Sequence, residues 1–376
     1  MRMVETCTAC GVPLTVSREL NWEANGVVSL TASPRNRMVF FESETIDCIF
    51  RGIEELIGVP IERIVIESRS RETRRYVERA FPPEVRRIID GSESDLEGRM
   101  AKMSPEERET LLATMKAITG RIIQIAKNYG YGEQTLSELW DQGADFPWRV
   151  QRVRDPYSVL FFVADNLGSV EAFEGIEMQA GYEKTGEDTY RSEIFPGGHA
   201  LELRDRLKRR RYDFKPGDVH YERCPQCGIP MAVAGRKWDV EAGTIVDPGT
   251  GRRMAIFGPF SADAVFEDLE SELGEAIPET VIEATRRYIR SAWNTENWNR
   301  DSLTFQQMIA VRGLGYLARF EGDRHGLEML VQNACLHLPM VGTVKALVEM
   351  AYLVEASTCE WELADDGDLS IAVKVK

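Results

Sequence analysis

The chain has 376 residues, 43% of them hydrophobic and 28% charged; that balance fits globular cores, and the length requires two or more domains. Its 46 basic and 61 acidic residues leave a net charge of -15, which argues against nucleic acid as the main partner, because phosphate binding relies on Lys and Arg. No apolar run of about eighteen residues reads as a membrane span, and the opening Met1-Arg2-Met3-Val4-Glu5-Thr6-Cys7 lacks the apolar core of a signal peptide, so a cytoplasmic location is expected.

In chain order, the first feature is a CxxC knuckle, Cys7-Thr8-Ala9-Cys10-Gly11. Val12–Val16 and Val27–Leu30 follow, rich in β-branched and apolar residues and separated by Asn25-Gly26; they predict a small ribbon. Ile46, Ile49, Phe50, Ile53, Leu56 and Ile57 recur at helical spacing up to Gly58. Ile61, Ile64 and Val65 open an arginine-rich helix that Pro82-Pro83 breaks. Leu111, Met115, Ile118, Ile122 and Ala126 mark a third helix, and the apolar run from Tyr157 to Glu174 a buried fourth. Ile176–Glu183 and Thr189–Phe195 then flank a turn and read as a hairpin.

A basic run, Lys208-Arg209-Arg210-Arg211, lies on a predicted helix within Arg204–Arg211. It reads as a solvated linker, with a protein-partner site as the alternative, as for the acidic surface. After it the pattern starts again. Cys224-Pro225-Gln226-Cys227-Gly228 matches the first knuckle, Trp238 matches Trp22, Gly243 matches Gly26, and Arg253-Met254 matches Arg37-Met38. Val265–Gly274 matches Ile49–Gly58, and Asn333–Trp361 lies on Asp155–Glu183 without a gap, with Glu349 opposite Glu171. A second hairpin, Glu355–Glu362 with Leu369–Val375, closes the chain.

The same order in both halves predicts an internal duplication. The expected fold class is α+β: two homologous halves, each a ribbon with a CxxC knuckle, a helical region and a closing antiparallel hairpin. The predicted divisions are ribbon 1–45, α+β domain 46–196, linker 197–219, ribbon 220–260 and α+β domain 261–376.

Two thiolates in a CxxC turn reach one ion, and a tetrahedral ion needs four. Each half offers one pair, so Cys7, Cys10, Cys224 and Cys227 are expected to share one metal, zinc first. Iron is the alternative, since the Cys-Pro-Gln-Cys-Gly knuckle resembles that of rubredoxins. Separate sites and redox chemistry are weaker readings, because neither pair follows the strand-then-helix pattern of a thioredoxin.

The stretch Asn333-Ala334-Cys335-Leu336-His337-Leu338-Pro339-Met340-Val341-Gly342, then Ala346–Glu349, Cys359-Glu360-Trp361 and Asp366–Ile371, resembles the end of a 4-vinyl reductase (V4R) domain. Phe266–Gly274 and Phe50–Gly58 resemble that family's opening. The resemblance covers about two-thirds of each half and rests mostly on apolar pattern, glycines and two late cysteines. It implies an α+β domain around a pocket for a hydrophobic small molecule. It makes Cys335, His337 and Cys359 candidate ligand contacts, with core packing the competing reading for Cys335. The first half departs from the pattern, with Tyr157 in place of Cys335 and Gly181 in place of Cys359.

No GxSxG, HExxH, GxGxxG or phosphate-cradling glycine loop is present. The sequence therefore favours a small-molecule-binding or sensing protein with a structural zinc. An enzyme of tetrapyrrole or related metabolism, and a protein-interaction scaffold, are the alternatives. Cys48 reads as core, and His199, His220 and His325 read as surface residues.

Overall fold

A computed structural model describes residues 4–80, 96–201, 212–293 and 302–375. It is a mixed α and β protein with antiparallel sheets. No described helix is long and apolar enough to cross a membrane. The helix expected over Arg204–Arg211 and the break at Pro82-Pro83 lie outside the described residues. The chain forms two compact units: Met1–Ile61 with Lys208–Trp238 and Ile245–Lys376, and Glu62–Leu207 with Asp239–Thr244.

The first unit is built on a six-stranded sheet of order β1-β2-β3-β10-β9-β8. Its strands are β1 (Leu20–Trp22), β2 (Val28–Leu30), β3 (Ser33–Glu42), β8 (Lys237–Asp239), β9 (Thr244–Val246) and β10 (Arg253–Phe257). β3 and β10 pair antiparallel, Met254 opposite Glu42 and Phe257 opposite Val39. Val39, Phe40, Phe41 and Met254–Phe257 are all buried, as continuous apolar runs require when both faces of a sheet are covered. Each of these two strands leads into a helix, Ser43–Ile57 and Pro259–Leu273. The first ends where expected, at Gly58, whose φ of 73° is the left-handed conformation of a helix stop.

The predicted strand over Val12–Val16 is a helix instead, Leu14–Glu19. Pro13 supplies the extended N-cap residue, and Val12 and Val16 are fully buried.

The same unit holds a four-stranded sheet, β11-β12-β14-β13, from β11 (Tyr316–Asp323), β12 (Gly326–Gln332), β13 (Ser357–Leu363) and β14 (Leu369–Val375). The helix His337–Tyr352 connects β12 to β13. It lies so close to the helix Ile277–Ala292 that a Cβ on Gly342 would sit 2.6 Å from the Ile282 carbonyl oxygen. The predicted closing hairpin is thus half of a larger sheet. β11 was missed because it exposes most of its residues and lacks an apolar alternation.

The second unit has the same kind of sheet, order β4-β5-β7-β6, from β4 (Glu133–Leu136), β5 (Val150–Arg154), β6 (Met178–Gly186) and β7 (Thr189–Pro196). The helix Val159–Glu174 connects β5 to β6. It packs on the helix Glu62–Ala80, where a Cβ on Gly168 would lie 2.2 Å from the Ser70 carbonyl oxygen. Trp148, Phe162, Leu167, Val170, Phe173 and Ile194 form the centre of this core.

Candidate metal centre

The two CxxC segments adopt the same local structure. In the first, Thr6 bridges Pro13, the Cys7 N–H donates to the Val12 carbonyl at 2.8 Å, and the Gly11 N–H donates to the Cys7 carbonyl at 2.7 Å. In the second, Arg223 bridges Pro230, the Cys224 N–H donates to the Ile229 carbonyl at 2.8 Å, and the Gly228 N–H donates to the Cys224 carbonyl at 2.9 Å. Gly11 and Gly228 both have a φ of 76°. A side chain would strain that turn, which is why each CxxC is followed by glycine.

The turns bring four sulfurs together. The Sγ atoms of Cys7, Cys10, Cys224 and Cys227 all lie within 4.8 Å of one another. Cys7 and Cys224 are 3.8 Å apart, and Cys10 and Cys227 3.5 Å. Four sulfurs bound at about 2.3 Å to one tetrahedral ion stand about 3.8 Å apart, so the cluster is the right size for a single metal. All four are free thiols. Cys7 and Cys224 are 2% exposed, while Cys10 and Cys227 keep partial access to solvent.

The environment shifts Cys224 and the pair Cys10 and Cys227 in opposite directions. The backbone N–H groups of Cys227 and Gln226 pull Cys224 down to about 6. Burial pushes Cys10 up to about 12 and raises Cys227 as well. A cation among them favours the thiolate at every position, since the metal ligand is S⁻. The all-sulfur donor set suits zinc or iron rather than a hard cation such as calcium or magnesium.

Gln226 joins the two turns. Its Oε1 accepts from the Ala9 N–H at 3.0 Å and from the Thr8 hydroxyl at 2.8 Å, and lies 3.5 Å from the Cys7 sulfur. Arg223 ties the second turn to the sheet, donating to the Gly228 carbonyl and to the Trp22 carbonyl at 2.8 and 2.7 Å. Sequence reasoning missed both residues. The signal available was that the two residues between the cysteines differ between the knuckles, Pro225-Gln226 standing where the first has Thr8-Ala9.

The three candidate ligand residues have different surroundings. Cys335 is buried, and its sulfur donates to the Gly313 carbonyl at 3.6 Å; burial pushes the thiol up to about 12. His337 packs its ring against Trp361 at 5.7 Å. Cys359, on β13, is half-buried and raised to about 11 by burial, with Lys345 and Glu279 nearby.

A separate cavity of about 30 Å³ lies in the same unit. Phe41, Phe305, Met308 and Met340 wall it, and the buried pair Glu42–Arg312 borders it. Burial alone would raise the Glu42 carboxyl, but the Arg312 guanidinium overrides it and holds the group below its ordinary value. None of Cys335, His337 or Cys359 lines this cavity.

His199 is not the surface residue expected. Its Nε2 is 2.6 Å from Oε1 of Glu171, a carboxylate that is 1% exposed. Cys48 is half-buried rather than core. His220 and His325 are exposed, as expected.

In comparisons with known proteins, the chain matches no family model, no curated protein and no solved structure.

Proposed function

We propose that this protein is a zinc-stapled binding protein, in which Cys7, Cys10, Cys224 and Cys227 hold one structural ion. The observation that carries the reading is the convergence, within 4.8 Å, of four free thiols from two CxxC turns. Separate metal sites would need further ligands at each turn. One shared ion needs none. Zinc is preferred to iron because a clamp between distant segments requires no redox change. Such a site contributes on the order of 10 kcal/mol to folding in the smallest zinc domains.

The same reading includes an internal duplication. It is supported by the like strand orders of the two four-stranded sheets and by the matched CxxC turns. Asp155 and Asn333, paired by the sequence register, also share a left-handed backbone, at φ 51° and 54°.

The ligand of the proposed binding protein is a hydrophobic small molecule, as the V4R resemblance implies. The cavity at Glu42–Arg312 has room for about one water molecule; a larger ligand would fit there only by displacing lining side chains such as Met308 and Met340, which are flexible.

The test is elemental analysis of protein purified without added metal, beside Cys224→Ser/Cys227→Ser. One zinc per chain, lost in the variant together with thermal stability, is the expected result. Two metals per chain, iron, or no metal overturns the shared zinc site. For the pocket, a fluorescent apolar dye is titrated against wild type and Met340→Trp. Binding that the bulky variant abolishes supports the cavity, and binding unchanged by it places the ligand elsewhere.

A further inference from the structure

We infer that Cys10 and Cys227 form a peroxide-sensitive pair that closes into a disulfide between the two CxxC turns as the metal leaves. This inference rests on the zinc reading above, and it adds a modification site to it. Two independent features single out the pair. Its sulfurs are 3.5 Å apart, closer than the 3.8 Å of Cys7 and Cys224. Both also remain partly exposed, while Cys7 and Cys224 are buried. Within the four-sulfur group, an oxidant arriving from solvent therefore meets Cys10 and Cys227 first, and each has the other as its accessible partner there.

The other thiols are set differently. Cys335 is buried, with its sulfur against the Gly313 carbonyl. Cys48 and Cys359 lie outside the four-sulfur group.

The step balances with hydrogen peroxide as oxidant. One thiolate attacks a peroxide oxygen; the S–O bond forms, the O–O bond breaks and hydroxide leaves. The second thiolate attacks the resulting sulfenic sulfur; the S–S bond forms, the S–O bond breaks and a second hydroxide leaves. Peroxide gains the two electrons that the two thiolates lose. Zinc is left with Cys7 and Cys224, too few ligands for a closed tetrahedral site, and is released.

The product keeps the two turns joined. The bond links positions 217 residues apart, and it spares the hydrogen bonds that close each turn, Cys7 N–H to Val12 and Cys224 N–H to Ile229. The covalent link replaces the metal.

The experiment uses the full chain as purified. Zinc content is measured first. Stoichiometric hydrogen peroxide is then added, released zinc is followed with a chromophoric chelator, and the disulfides are mapped by non-reducing proteolysis and mass spectrometry. The expected result is zinc release in step with a crosslinked peptide pair carrying Cys10 and Cys227, both reversed by dithiothreitol and fresh zinc. Disulfides within Cys7/Cys10 and Cys224/Cys227, or oxidation of Cys48 or Cys359 before any zinc is released, overturn the inference. A starting protein without zinc that still forms the Cys10–Cys227 link overturns the zinc reading alone. Without zinc and without that link, both fall.

Discussion

The side-chain oxygen of Gln226 accepts a hydrogen bond at 3.0 Å from the backbone N–H of Ala9, 217 residues away. The two CxxC turns are therefore held in register by the protein itself, apart from any ion they share. A metal centre preorganised in this way loses less freedom when it closes.

Gln226→Ala removes that clasp while leaving all four sulfurs in place. We expect zinc affinity to fall by roughly tenfold or more, in the range usual for groups that orient metal ligands, with the stoichiometry unchanged. Competition against a chelator of known affinity measures it, and an unchanged affinity refutes the clasp.

Glu42 and Arg312 are a buried, hydrogen-bonded ion pair next to the cavity. Removing one partner strands a buried charge, so Glu42→Gln or Arg312→Met should each cost about 3–5 kcal/mol. The double variant should cost much less than the sum, because no charge is then left uncompensated. Denaturant unfolding of the four proteins decides this, and additive losses would show that the pair is not coupled.

The His199–Glu171 bond makes one segment pH-dependent. The bond to Glu171 is the main cause that raises the His199 pKa, ahead of the opposing effect of burial, with Glu67 and Glu177 adding to it. A raised folded-state value means that the stabilisation is complete below the unfolded value, about 6.5, and fades as pH rises through the folded one. Amide exchange at residues 199–201 should accelerate, beyond its intrinsic pH dependence, as pH rises through that range. His199→Gln should remove the pH-dependent part. A wild-type profile matching that of the variant counts against it.

Gly168 lies where two helices touch. An added Cβ would meet the Ser70 carbonyl oxygen at 2.2 Å and the Arg74 nitrogen at 2.8 Å. These are backbone atoms with no rotamer to adjust, so Gly168→Ala should destabilise by about 1–3 kcal/mol despite its better helix propensity. Gly120, on an open helix face, is the control: Gly120→Ala should be neutral or stabilising. Thermal melts of the two variants distinguish them.

Sequence alone determined the features that repeat at short range. Helical periodicity located Ser43–Ile57, Pro105–Asn128 and Val159–Glu174, and the glycine after each CxxC marked its tight turn. Those signals are local: a period of 3.6 residues, or a backbone angle that only glycine takes easily. Tertiary structure decided what depends on distant neighbours. It turned Leu14–Glu19 from strand to helix and placed β12 inside its sheet, between β11 and β14. It also drew His199 onto a buried carboxylate and set Gln226 across to the first turn. The four cysteines belong to both levels. Their spacing named them as candidate ligands, but only packing between segments 217 residues apart could bring their sulfurs together, because no local rule specifies which distant segment a thiol will face.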